Sequence, residues 1–232
     1  MSLSRANEPT NRKRPMNCEV STFVCNIIQE NTYLLSTSDG HAAIIDCGCA
    51  TVSEQERLAQ RIEQWGLSVD LLLFTHLHFD HIWGLSWALQ AFPEAKAYAH
   101  ATELAQAVSP EAQMRAWGFE VPEEAFDLSQ IHPLPSDQPL RLGEVAIYDL
   151  FVPGHTAGHV AYYLPSEHIV FTGDVLFRGD IGRSDLPGGD YQTLLHSIKT
   201  QLRPLPDDTI VYPGHGPHTT IQNEKINNPY IN

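Results

Sequence analysis

The densest chemistry in the 232-residue chain is the run Thr75-His76-Leu77-His78-Phe79-Asp80-His81, which puts His76, His78, Asp80 and His81 within six positions. Extended backbone alternates sides with a period of two, so His76 and His78 can face one metal ion. Asp80 and His81, where the chain turns into the next helix, can aim at a neighbouring one. Imidazole combined with carboxylate suits zinc, iron or manganese, whereas magnesium and calcium prefer oxygen ligands throughout. Three more side chains of the same kind follow: His155 in Pro153-Gly154-His155, Asp174 in Thr172-Gly173-Asp174, and His215 in Pro213-Gly214-His215. A carboxylate at Asp174 can bridge two cations about 3.5 to 4 Å apart, the spacing of two-metal hydrolytic sites. The seven residues together are the expected ligands of two divalent ions, zinc first, with iron or manganese as alternatives.

Each of these turns follows an apolar run of strand type: LLLF before Thr75, YDLFV before Pro153, HIVF before Thr172 and TIVY before Pro213. Ligands of open α/β sheets bind beyond the carboxyl ends of the strands, so four such turns can converge on one site. Strands are expected at Cys18 to Asn26, Thr32 to Ser36, Ala42 to Asp46, Val69 to Phe74 and Lys96 to Ala99. Further strands are expected at Leu140 to Leu142, Val145 to Val152, Val160 to Leu164, Ile169 to Thr172 and Thr209 to Tyr212. Helices are expected at Thr51 to Trp65, ended by Gly66, at His81 to Phe92, His100 to Trp117 and Tyr191 to Leu202, with a short helix or turn from Ile221 to Pro229. Val121 to Pro139 reads as an irregular surface passage. Sheet, helices, sheet, helices in that order predicts an α/β protein: an αββα sandwich of two mixed β-sheets with helices outside.

The remaining composition narrows the function. Fourteen Lys and Arg residues against 28 Asp and Glu give a formal charge of −14, which lacks the basic surface that phosphate contacts need and argues against nucleic acid as a partner. No run approaches a membrane span and the N-terminus has no signal-like apolar stretch, so no membrane partner and a cytoplasmic location are expected. Residues 1–16, including Arg12, Lys13 and Arg14, read as a flexible polar tail ahead of a single catalytic domain over 17–232. Cys18, Cys25, Cys47 and Cys49 lack a zinc-finger spacing and are expected as free thiols. His41, His100, His132, His168, His196 and His218 are each expected on the surface or in packing, and His159 at a strand entrance, with contact to the ligands as its alternative.

The motifs His76-Leu77-His78-Phe79-Asp80-His81, Pro153-Gly154-His155-Thr156-Ala157-Gly158-His159, Phe171-Thr172-Gly173-Asp174 and Tyr212-Pro213-Gly214-His215-Gly216 resemble those of the metallo-β-lactamase superfamily. The resemblance implies one metal held by His76, His78 and His155, a second by Asp80, His81 and His215, and Asp174 shared. Within the superfamily the chain is similar to short glyoxalase II-like (hydroxyacylglutathione hydrolase-like) members, through the segment from Leu176-Phe177 to Gly182-Arg183-Ser184-Asp185 and Leu186-Pro187-Gly188-Gly189-Asp190. Only 17 residues follow His215, so the chain is expected to resemble the members without the C-terminal helical domain by which full-length enzymes hold glutathione. Arg183 and Lys225 are the candidate substrate contacts in its place. The resemblance implies a metal-dependent hydrolase acting on a small-molecule thioester such as S-D-lactoylglutathione. A hydroxide bridging the metals would be the nucleophile and Asp80 and Asp174 the catalytic carboxylates. Three alternatives accompany it: a persulfide dioxygenase with one iron on His76, His155 and Asp174, a lactonase or other ester hydrolase of the same fold, and a metal-binding protein without turnover.

Overall fold

Alternation along the strands sets the layering. A computed structural model of the chain describes residues 17–122 and 126–231; the expected N-terminal tail lies outside the described residues. Strands β1 (Cys18–Cys25), β2 (Glu30–Thr37), β3 (His41–Ile45), β4 (Ser68–Leu73), β5 (Lys96–Ala99) and β6 (Ile131–Pro133) form one sheet in chain order. Its first three strands run antiparallel, and β3 to β6 run parallel. Strands β7 (Leu140–Leu142), β8 (Val145–Phe151), β9 (Val160–Leu164) and β10 (Ile169–Gly173) form an antiparallel run in a second sheet. A short ribbon of β11 (Leu176–Phe177) and β12 (Asp180–Ile181) follows, and β13 (Ile210–Pro213) then joins β10 in parallel, with β14 (Thr219–Thr220) at the edge.

Odd and even residues of the central strands enter different cores. On β3, Ala43 and Ile45 face the second sheet while Ala42 and Ile44 face the helices, and on β4 Leu71 and Leu73 oppose Leu72 in the same way. On the other sheet Ile169 and Phe171 of β10 meet this central layer, whereas Val170 turns outward to Leu194 and Ile198. Both sheets are therefore apolar on two faces, which requires helices on each outer side. The expected sandwich of two mixed sheets with outer helices is the observed architecture.

Helix α1 (Val52–Trp65) begins at a capping box between Thr51 and Glu54 and ends at Gly66, whose φ of 62° is the left-handed cap that glycine supplies. Its Leu58 and Ile62 are buried on the first sheet. The helix expected from His81 starts late, as α2 (Leu85–Ala91), because residues 81–84 form tight turns that aim side chains at the site. The helix expected from His100 to Trp117 is two, α3 (Ala101–Gln106) and α4 (Pro110–Ala116). Pro110 drives Ser109 out of the helical region, to φ −57° and ψ 136°, and so forces the break. The passage expected to be irregular contains β6, an edge strand short enough to tolerate Pro133. Helix α5 (Tyr191–Ser197) continues into a π-helical turn to Leu202, and α6 (Ile221–Asn227) closes the second outer layer. The four cysteines are buried free thiols.

Candidate metal centre

Four strand ends meet at one rim of the sandwich: β4 delivers residues 75–81, β8 residues 153–155, β10 Asp174, and β13 His215. Ligand atoms of His76, His78 and His155 all lie within 4.8 Å of one another, and so do those of Asp80, His81 and His215. Asp174 stands between the two groups. Its Oδ2 is 3.6 Å from His155 Nε2 and 3.6 Å from His215 Nε2, and its Oδ1 is 3.3 Å from His81 Nε2. The structure thus brings all seven expected ligands together. Close approach needs a residue without Cβ at Gly214, where a methyl group would run into the Asp174 carboxylate and the His81 ring.

The donor set fits cations. His76 Nε2, His81 Nε2 and Asp174 Oδ1 are buried and make no hydrogen bond, although such atoms cost on the order of 1–3 kcal/mol when unsatisfied. Nearby groups fix which imidazole nitrogen faces inward. His155 Nδ1 donates to the Arg183 carbonyl at 2.7 Å and His215 Nδ1 to the Gln29 carbonyl at 3.2 Å, which turns each Nε2 into the site. His81 Nδ1 lies 2.9 Å from Asp46 Oδ2, and Asp46 also accepts from the Thr75 amide and hydroxyl, each at 2.8 Å. His159 is at its strand entrance and also touches the site: its Nε2 accepts the Asp174 amide at 3.1 Å, and its ring stacks on His76.

Burial and neighbouring charge set the protonation states. Burial, reinforced by the surrounding imidazoles, holds His76 and His159 well below the usual histidine range and pulls His78 down to about 3, so these rings stay neutral and able to ligate. Burial opposes ionisation of Asp174 and Asp80, yet His81 and His215 outweigh it and hold both carboxyls below their ordinary value. The same attraction, led by Asp174, raises His81 and His215 against the effect of burial.

Two supports were not among the expected site residues. Asp46 obeys the strand-end rule that picks out the ligands, and its φ of 49° marks the special turn after β3. Glu103 carries no such signal, being an ordinary acidic residue in a helix until burial reveals it. Its Oε1 accepts the Leu77 amide at 3.0 Å, and its Oε2 accepts the Thr156 hydroxyl at 2.7 Å and the Gly158 amide at 3.0 Å. One side chain therefore ties the loop of His76 and His78 to the turn of His155.

A cavity of about 290 Å³ opens above the ligands. Arg183 lines it, but its guanidinium is paired with Asp185 at 2.7 and 2.8 Å and lies 5.8 Å over the Trp117 ring. Lys225 does not line it, and bonds Asp207 at 2.7 Å and the Leu205 carbonyl at 3.3 Å. His41, His100, His132, His168, His196 and His218 belong to none of the metal-ligating groups among the described residues.

Residues 26–215 match the family model described as Metallo-beta-lactamase superfamily. Hydroxyacylglutathione hydrolase GloC of Haemophilus influenzae is 38% identical over 94% of this chain and 99% of its own. Probable metallo-hydrolase YqgX of Bacillus subtilis is 39% identical over 88% of this chain and 93% of its own. Among solved structures, TTHA1623 in a di-iron-bound form superposes with a TM-score of 0.77 at 37% identity, covering 91% of this chain and 100% of that one.

Proposed function

Because the chain belongs to the metallo-β-lactamase superfamily, a family of metallo-hydrolases, we propose that it hydrolyses a small-molecule thioester of the S-D-lactoylglutathione type at a two-metal site. His76, His78 and His155 would hold one ion, Asp80, His81 and His215 the other, and Asp174 both. When bound, such ions acidify water to a pKa of about 7 and polarise a carbonyl oxygen. Zinc suits this donor set, as does the iron carried by the TTHA1623 structure.

The observation that carries the thioester reading is the shortage of acids. Outside the seven ligands, the titratable side chains among the described residues lining the cavity are Glu103 and Arg183, and both are committed to internal bonds. An amine or alkoxide leaving group would have to draw its proton from metal-bound water, with no side-chain acid to help. A thiolate does not, since a free thiol has a pKa of about 8.5. Asp80, at the cavity floor and held ionised by His81, offers its carboxylate to orient the attacking water. Asp46, Thr75 and the Arg183 and Gln29 carbonyls keep the imidazoles in one orientation, so little reorganisation accompanies the reaction. GloC's hydroxyacylglutathione hydrolase activity supports the same reaction class.

The test is metal analysis of the purified protein beside S-D-lactoylglutathione hydrolysis and oxygen-uptake assays. Near two metals per chain with thioester cleavage is expected. About one iron per chain with oxygen consumption and no thioester cleavage overturns the proposal in favour of a dioxygenase.

A further inference from the structure

The cavity wall offers hydrocarbon where a charged thiol carrier would need cations. Ile28, Val108, Ala112, Trp117, Leu186 and Pro187 supply its apolar surface. The polar groups among them are spent. Gln113 accepts the Phe79 amide and donates to the Leu77 and Val108 carbonyls, Glu103 is saturated by three donors, and Arg183 is engaged by Asp185. What remains is the exposed neutral amide of Gln106.

Glutathione has two carboxylates and one ammonium. Within this cavity Arg183, in a solvent-exposed pair with Asp185, is the one cationic side chain outside the ligands among the described residues of the lining, so carboxylates laid against the apolar wall would be desolvated without a partner. An aliphatic acyl group gains from the same walls. We infer that the site selects thioesters whose acyl group is a hydrocarbon chain, on a thiol carrier that need not be charged. This inference rests on the thioester-hydrolase proposal above and ranks its substrates: S-D-lactoylglutathione is cleaved, but less efficiently than a thioester with a hydrocarbon acyl chain.

The experiment measures kcat/KM of the metal-loaded protein on acetyl, butyryl and hexanoyl thioesters of N-acetylcysteamine and of glutathione, with S-D-lactoylglutathione beside them. Burial of a methylene corresponds to about fourfold in affinity, so acetyl to butyryl is expected to gain roughly tenfold or more on either carrier. Trp117→Ala removes a half-exposed wall and is expected to lower the hexanoyl value more than the acetyl value. A flat or falling chain-length profile, or a preference for lactoylglutathione over butyrylglutathione, overturns the inference while leaving the hydrolase standing. Calorimetry with uncleavable thioethers provides the separate arm. S-hexyl-N-acetylcysteamine is expected to bind at least tenfold more tightly than its S-methyl counterpart. If no thioester is cleaved but this preference holds, the hydrolase reading fails and the pocket assignment survives; equal binding of the two thioethers overturns it.

Discussion

Glu103 joins two ligand-bearing loops through three hydrogen bonds, and its replacement by Gln tests whether that joint positions the metal centre. In Glu103→Gln an amide group takes the place of one carboxylate oxygen. With the Oε2 contacts to Thr156 and Gly158 kept, the NH2 faces the Leu77 amide, donor against donor. Losing one buried bond to a charged acceptor costs about 1.5 to 3 kcal/mol, which for a chain of this size lowers Tm by roughly 3 to 12 °C. Leu77 lies between His76 and His78, so the expected functional loss is that of a disturbed ligand support, roughly 10- to 100-fold in metal affinity or kcat/KM. The assays are thermal unfolding, metal titration against a chelator, and steady-state kinetics at saturating metal. Glu103→Asp, which keeps both oxygens on a shorter stem, should recover part of the metal affinity. A Glu103→Gln protein with wild-type metal affinity and only a lowered Tm would refute the positioning role and leave a purely structural one.

Asp174 stands between both ligand groups, so Asp174→Ala should abolish turnover and cut metal content to half or less; full activity with unchanged stoichiometry would rule out a bridging role. The metal-stripped protein should lose stability as pH falls from about 6 towards 5. His76, His78 and His159 have depressed values in the fold, about 3 for His78, so below about 6.5 the unfolded chain binds protons that the folded one refuses. His81 and His215 are raised, so below about 6.5 both states hold their protons; their stabilisation is complete in acid, adds no slope there, and is lost only as pH rises. Each proton taken up on unfolding contributes about 1.4 kcal/mol per pH unit, the three depressed imidazoles outnumbering the one proton that buried Glu30 keeps in the fold, so chelator-treated samples show a Tm that falls as the pH drops below about 6; a Tm that is flat or rising there would contradict the assignment.

The strand-end histidines and aspartates were legible because two local rules coincide at them. Apolar runs of period-two or continuous type mark β4, β8, β10 and β13, and each is followed within a few residues by a ligand. Asp46 satisfies the same rule after β3 and differs in lacking the glycine that precedes His155, Asp174 and His215. Glu103 and Gln113 were not legible, since each is a polar residue on a short helix whose importance comes from backbone amides and carbonyls more than 20 residues away in sequence. The break between α3 and α4 could have been read from Ser109-Pro110, but the apolar and charged spacing across it continues at helical period and hides it. Lys225 is a further lesson in distance. Its charge suggested a substrate contact, whereas α6 places it beside Asp207 on the second outer layer.

Helices α3 and α4 build the cavity wall, and they reach the metal loop through two side chains alone among the described hydrogen bonds: Glu103 to Leu77, and Gln113 to Leu77 and Phe79. Side chains on the same wall without such bonds can therefore change the space offered to substrate without moving the ligands. Ala112 precedes Gln113, is exposed and lines the cavity. Leucine is nearly as good a helix former as alanine, so Ala112→Leu should fold normally while filling part of the cavity. The expected result is an unchanged metal content and a kcat/KM that falls for long acyl chains and is nearly constant for acetyl. Gln113→Leu is close in volume but removes the bonds to residues 77 and 79, so it should weaken metal binding and lower kcat/KM for every acyl length together. Equal effects of the two substitutions on metal affinity would mean that the wall and the centre are not separable in the way these hydrogen bonds imply.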